Sequence, residues 1–319
     1  MRTGAAAGHL GYYHEAVCYT SDDDLVAVAV PFLVGGIDAG EPTVVSMGDR
    51  NAHLLRSALP AGLPVTFLPG DALYARPAGA IKFYRKLLAD HVARGASQIR
   101  IIGELSPEML GVTWDWWARY ESAVNHAYDE FPLWSMCAYD TRTTPAPVLA
   151  DVLRTHPRTA LPDGRHVPND TYTDPFQYLA EPRAPVVDPL QQTDPLADLA
   201  DPTLAEARQA VWDADHGFLP TQDVEDFALA VSEAVANAYR HGRPPLRLRL
   251  WCGADRIVVT VTDAGPGPKD PFAGLLPANA TGDGGLGLWI MHQMSNHVAL
   301  YRQPEGFTIR LTAGNPYHS

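Results

Sequence analysis

In AVSEAVANAYRHG, residues 230–242, Glu233, Asn237 and His241 recur every fourth residue. On an α-helix that spacing stacks the three side chains on one face. A carboxylate can orient a water or take a proton from an attacking hydroxyl, and a carboxamide oxygen suits the octahedral oxygen shell of Mg²⁺. Two glycine clusters follow. Asp263-Ala264-Gly265-Pro266-Gly267 ends a strand-like run. Asp263 offers an acceptor for an exocyclic amine such as that of adenine, and Gly265 and Gly267 let the backbone approach a base without a Cβ clash. Gly282-Asp283-Gly284-Gly285-Leu286-Gly287 leads into a helix-like run. There Gly284, Gly285 and Gly287 would turn free N–H groups toward phosphate oxygens.

Each part alone has an ordinary structural explanation: a solvated helix face, a turn between strands, a glycine-rich loop before a helix. Their order within one short span favours a nucleotide site with a metal. If the nucleotide is ATP, Asn237 would hold the Mg²⁺ and Glu233 would act as base. His241 belongs to the same stripe in a supporting position.

The first half of the chain carries a looser set. His14 and Cys18 lie on one face of a strand-like run, Glu104 ends a second, and Cys137, Tyr139 and Asp140 end a third. Strand ends are where α/β domains bind ligands, so these six residues form the candidate sensory-ligand site. No tight pair such as Cys-x-x-Cys is present, and the residue types by themselves favour buried cysteines and a hydrogen-bonded histidine over a metal. The glycines of GGIDAGEPT, residues 35–43, lack the lysine of a phosphate-binding P-loop, and no GK[ST] occurs in the sequence. Trp114, Trp116, Trp117 and Tyr120 are expected in the core, and Glu121 and Asn125 are expected to cap or pair locally.

The elements that must position these residues divide in two. Over residues 14–157, short apolar runs at 14–20, 42–47, 64–69, 98–104 and 132–140 alternate with amphipathic runs at 22–34, 49–59, 78–94, 112–129 and 145–155. That alternation predicts βαβ units and a mostly parallel sheet, a three-layer α/β domain. From 202 the rhythm changes to helices at 203–216 and 222–241, strands at 246–252 and 256–263, a helix at 286–296 and two closing strands, HVALYRQ and FTIRLTA. Adjacent strands with short turns predict an antiparallel-rich sheet with helices on one face, an α+β sandwich. The resulting domains are 10–160 and 202–315, with a Pro/Asp-rich linker over 161–201.

The chain has 319 residues, a formal net charge of −13, and three cysteines at wide spacing. An odd, scattered cysteine set makes no disulfide framework and fits a reducing cytoplasm. The acidic balance argues against a nucleic-acid surface, and no apolar run is long enough to span a bilayer.

Residues 203–312 resemble the GHKL ATPase superfamily, most of all its anti-sigma-factor serine kinases. LAVSEAVANAYRHG matches that branch's N box, with Glu233 at the catalytic base and Asn237 at the Mg²⁺ ligand. Asp263, Gly265 and Gly267 match the adenine box, and Gly284, Gly285 and Gly287 the lid-and-helix box. The resemblance implies the Bergerat fold, ATP and Mg²⁺ as cofactors, a homodimer, and phosphorylation of a serine or threonine on an anti-anti-sigma (STAS-type) partner that controls a sigma factor. The chain departs from the pattern in three places: no Arg beside the lid glycines, Phe307 where relatives often have Thr after Gly306, and a long Pro-rich, acidic loop over 266–283. ATP binding is therefore better supported than phosphotransfer. Residues 14–175 resemble the MEDS sensory domain through HEAVCYTSDDDLVAVAVPFLVGGIDAGEP, IIGE, YESAVNHAY, MCAYD and THP. That family implies a RecA/KaiC-like α/β fold lacking a P-loop and the sensing of an unknown small-molecule signal. The combined expectation is a cytoplasmic switch in which a sensory domain controls a serine/threonine kinase. Two alternatives stand beside it. One is a non-catalytic ATP-binding switch that sequesters a sigma factor or antagonist. The other is a histidine-kinase-like protein with a degenerate ATP site, though His216 is followed by the helix-stopping Gly217 rather than lying in a dimerising hairpin.

Overall fold

The computed structural model describes residues 1–69, 76–184, 186–276, 285–304 and 306–317. The chain divides into two compact units, with the main boundary in sequence between Leu179 and Ala180.

The first unit is built on β1 (Tyr13–Tyr19), β2 (Thr43–Met47), β3 (Thr66–Pro69), β4 (Ile99–Gly103), β5 (Leu133–Asp140), β6 (Arg158–Ala160) and β7 (His166–Pro168). They form one sheet in the order β3-β2-β4-β5-β1-β6-β7. All neighbours are parallel except β7, which runs antiparallel to β6. The central strands are covered on both faces: β2 and β4 are buried at every position. One face packs on α1 (Asp22–Asp38) and α2 (Asp49–Ala58), with Val17 and Met136 against Leu25, Val28 and Leu55. The other face, carrying His14, Cys137 and Tyr139, meets Glu121 and Asn125 of α4 (Trp114–Ala127). Helices α3 (Pro77–Ala93), α5 (Ala146–Thr155) and α6 (Pro175–Ala180) complete the unit.

Helix α1 begins where the Asp run predicts. The Ser21 hydroxyl accepts the Asp24 N–H, and Asp22, Asp23 and Asp24 face the positive end of the helix dipole. It runs one turn further than expected, through Gly35 and Gly36. A Cβ on Gly36 would stand 2.5 Å from Thr43 Oγ1 and 2.9 Å from Arg100 Cδ, and the Arg100 guanidinium donates to the Phe32 carbonyl at 2.7 Å. These glycines therefore make room for an arginine under the helix rather than for a phosphate. The tryptophans of α4 are buried, as is Tyr120.

The second unit has a five-stranded, wholly antiparallel sheet ordered β11-β12-β10-β9-β8. Its strands are β8 (Ala197–Ala200), β9 (Arg247–Cys252), β10 (Arg256–Asp263), β11 (His297–Gln303) and β12 (Gly306–Gly314). Helices α7 (Leu204–Ala214), α8 (Thr221–His241) and α9 (Leu286–Met294) pack beside one another, and α8 lies over β10 and β12. Val224, Phe227, Ala228, Val231, Val235 and Ala238 form the buried stripe of α8, an i, i+3, i+4, i+7 pattern. That stripe fixes the helix's rotation and leaves Glu233, Asn237 and His241 on its margin.

Residues 161–201 depart from the expected linker. They supply β7 and α6 to the first unit and β8 to the second sheet. Between these, Asp188 forms a paired ion contact with Arg256, at 3.0 Å to each of Nε and Nη2. The Trp251 indole donates to the Thr193 carbonyl, and Arg310 donates to the Val186 carbonyl. Low periodicity hid this: the segment is held by isolated polar anchors rather than by an amphipathic face. Among the described residues no helix is long and apolar enough to cross a membrane.

Candidate functional site

A cavity of about 470 Å³ in the second unit is lined by Asn237, His241, Asp263, Gly267, Gly285 and Phe307, among others. Asp263, the last residue of β10, is 6% exposed and stands opposite Phe307 of β12. Its Oδ1 accepts the N–H groups of Gly265 at 2.6 Å and Arg243 at 3.2 Å. No hydrogen bond to Oδ2 occurs among the described residues. A Cβ on Gly242 would fall 2.4 Å from the Asp263 Cγ, and one on Gly265 2.5 Å from Oδ1. Gly267, at φ +71°, would place a Cβ 2.4 Å from the Phe307 ring. The close approach these glycines permit is thus to an aspartate and a phenylalanine of the site itself.

Asn237 and His241 reach the cavity from α8, while Glu233, one turn earlier, is half-buried and does not line it. What joins Glu233 to Asn237 is Gly287, in the first turn of α9. A Cβ there would lie 2.8 Å from Asn237 Nδ2 and 3.1 Å from Glu233 Oε2. Gly285 caps α9 at φ +121°, a backbone conformation that side chains rarely adopt. Gly284, the remaining glycine of that box, lies outside the described residues. The Asn237 amide makes no hydrogen bond among the described residues. A polar group without a partner, an aspartate held on one oxygen and a cradle that added Cβ atoms would fill together suit a nucleotide with a Mg²⁺ ion. Lys269 and Phe307 also line the cavity. Lys269 gives it a cation that motif reading missed, because a lone lysine in a Pro-rich loop has no spacing signature. Thr308 lies on the opposite face, its hydroxyl 2.8 Å from that of Thr262.

Of the six residues expected to gather in the first unit, the fold brings His14, Cys137 and Tyr139 together, sets Glu104 on a small cavity that also borders Cys137, and leaves Cys18 and Asp140 apart. Cys18 stands beside Tyr139 in the strand register, outside the cluster. Glu104 instead accepts from Asn51 and the Gly48 N–H, and Asp140 pairs with Arg142 toward solvent. The cluster is completed by Glu121 and His156. His14, Glu121, Cys137 and His156 place their ligand atoms within 4.8 Å of one another. Tyr12 stacks on His14 with ring centroids 4.7 Å apart, and Tyr139 donates to Glu121 Oε1 at 3.0 Å. Burial holds His14 well below the usual imidazole range and His156 down to about 4. Burial likewise pushes Glu121 up to about 7 and the Cys137 thiol well up. Sequence reading missed Glu121 and His156 because the nearest chain separation within the cluster is sixteen residues, Glu121 to Cys137; only the β1–β5 pairing and the docking of α4 and α5 bring the four together.

Two folded units, one with a parallel-rich sheet and one with an antiparallel sheet and a glycine-lined cavity, match two known families. Residues 13–157 match the MEDS family, the MEthanogen/methylotroph, DcmR Sensory domain, and residues 197–313 match the histidine kinase-like ATPase domain. The chain therefore joins a MEDS sensory domain to a histidine kinase-like ATPase domain. Among individual proteins, it is similar to the serine-protein kinase RsbW of Staphylococcus aureus, 29% identical over 107 residues. That match covers 28% of this chain and spans 65% of the length of that kinase.

Proposed function

We propose that the second unit binds Mg-ATP and phosphorylates a serine or threonine of an antagonist protein, and that the MEDS unit biases this activity in response to a signal. The observation that carries the reading is the convergence of Glu233 and Asn237 on Gly287, beside a cavity that ends at Asp263. Mg-ATP would supply the transferable phosphoryl group. Asn237 would hold the metal through its amide oxygen, and Asp263 Oδ2 would accept the base's exocyclic amine. Glu233 would take the proton of the partner hydroxyl at its carboxylate. Gly285 and Gly287 would present N–H groups at the α9 terminus, and Lys269 would offset anionic charge. The similarity to a serine-protein kinase supports a protein hydroxyl as acceptor, and a STAS-type anti-anti-sigma protein is the partner class to test.

Calorimetry with Mg-ATP on the wild type and Asn237→Ala should show binding lost in the variant. With labelled ATP and STAS-type proteins, the wild type should transfer phosphate and Glu233→Ala should not. Absence of transfer to any such protein, with Glu233→Ala changing nothing, would sink the kinase reading. A second reading is favoured by Glu233 standing outside the cavity lining: ATP would act as a structural ligand of a switch that sequesters its partner. Intact ATP recovered from a stable complex after long incubation is its signature.

A further inference from the structure

We infer that the first unit holds a buried divalent metal of thiolate-tolerant chemistry, Zn²⁺ foremost, on His14 Nε2, Glu121 Oε2, Cys137 Sγ and His156 Nε2. Asn125 Nδ2 is spent on the carbonyls of Glu121, Ser122 and Thr155, so its Oδ1 accepts from His14 Nδ1, 2.9 Å away. His156 Nδ1 lies 2.8 Å from the Val152 carbonyl, which can only accept. Both imidazoles therefore carry their proton on Nδ1 and turn the Nε2 lone pair inward, the form in which histidine binds metals and the outer hydrogen bond that usually fixes it.

Those lone pairs point at another acceptor. His14 Nε2 lies 3.8 Å and His156 Nε2 3.6 Å from the same oxygen, Glu121 Oε2. His156 is 0% exposed and its Nε2 makes no hydrogen bond. Two nitrogen lone pairs and a carboxylate oxygen converging in a dry site repel one another unless a proton or a metal ion lies between them, and a shared proton would draw nitrogen and oxygen to about 2.7–3.2 Å. The spacing identifies the metal ion. Metal–ligand bonds of about 2.0–2.3 Å at tetrahedral angles set ligand atoms roughly 3.3–3.8 Å apart. The measured separations are 3.3 Å for His14 Nε2 to Cys137 Sγ, 3.8 Å for Cys137 Sγ to Glu121 Oε2, and the 3.6 and 3.8 Å above. A thiolate and a carboxylate would neutralise a divalent ion, which makes burial affordable. Two imidazoles, a thiolate and a carboxylate are the borderline-soft donor mixture of zinc sites. Tyr139 fixes the other Glu121 oxygen. A cavity of about 40 Å³ borders the cluster at Glu121 and Cys137.

Cys137, His14 and Asn125 also stand in the order of a nucleophile, a base and its orienting group. A carboxylate 3.8 Å from the sulfur opposes a free thiolate, whereas a cation satisfies both anions. The metal explains all four residues; the nucleophile explains two and leaves His156 and Glu121 without a role.

Full-length protein stripped of metal and titrated with Co²⁺ should take up one ion per chain. It should develop a thiolate-to-cobalt charge-transfer band with tetrahedral d–d absorption, displaced by Zn²⁺. Cys137→Ser should abolish the charge-transfer band and weaken Zn²⁺ binding at least tenfold, while Cys18→Ser leaves both unchanged. A wild-type titration without that band overturns the inference, a measurement that needs no variant to fold. So does a band that persists in Cys137→Ser or is lost in Cys18→Ser.

Discussion

Gly267 and Gly40 adopt nearly the same left-handed backbone, φ +71° and +69°, but only Gly267 has a neighbour where a Cβ would stand. Alanine at Gly40 should cost only the conformational strain, about 1–2 kcal/mol. Alanine at Gly267 must also displace the Phe307 ring, adding about 1–3 kcal/mol. Urea unfolding of the two variants compares them directly, and equal costs would refute the packing argument. Asn237 is different in kind. It is partly exposed and makes no hydrogen bond among the described residues, so Asn237→Ala should leave unliganded stability within about 0.5 kcal/mol while removing Mg-ATP affinity. In the first unit, Asn125 orients His14. Asn125→Ala should weaken Zn²⁺ binding by about 10–100-fold, read in a competition titration. The Glu-Asn stripe was visible in the sequence because both residues ride one helix. The reason for the glycines was not, since it depends on which side chain the other strand brings opposite.

At the scale of elements, the segment before β8 is where polar anchors replace apolar packing. The Asp188 and Arg256 side chains are only 3% and 10% exposed. Removing Asp188 leaves the Arg256 guanidinium with only the exposed Asp255, 2.9 Å from Nη1, so Asp188→Ala should destabilise the second unit by about 1–3 kcal/mol. Joint replacement, Asp188→Leu with Arg256→Met, should recover much of that loss, because two apolar groups need no counterion. Chemical denaturation of the single and double variants checks the sign of the coupling. Helix α7 shows the opposite case, a local signal legible from sequence: Thr203 and Glu206 form a reciprocal capping box, the T-x-x-E pattern that marks a helix start.

At the scale of the molecule, the second unit should need residues that composition alone assigns to a linker. A fragment of residues 181–319 keeps β8 and the Asp188 anchor; one of residues 202–319 exposes the edge of β9 and the Arg256 guanidinium. The shorter fragment should melt lower and aggregate more readily, and equal melting temperatures would show that the segment contributes nothing. In the intact chain, Mg-ATP at a hundred times its Kd should stabilise the second unit by about 2.7 kcal/mol, visible as a raised melting transition in calorimetry. Unchanged melting at saturation would mean that the cavity holds no nucleotide.

The sequence by itself determined the order and type of the main elements outside residues 158–201 and the Glu233–Asn237 stripe. It also placed Asp263 at a strand end. Each of these is local: helical period, strand alternation and glycine punctuation act over a few residues. Only the tertiary structure decided that Gly242, Gly265 and Gly267 serve Asp263 and Phe307, that residues 186–200 belong to the second unit, and that His14, Glu121, Cys137 and His156 meet. Those are contacts between segments distant in the chain, set by strand register and helix docking. No spacing along a sequence encodes which side chains two separately folded elements will bring face to face.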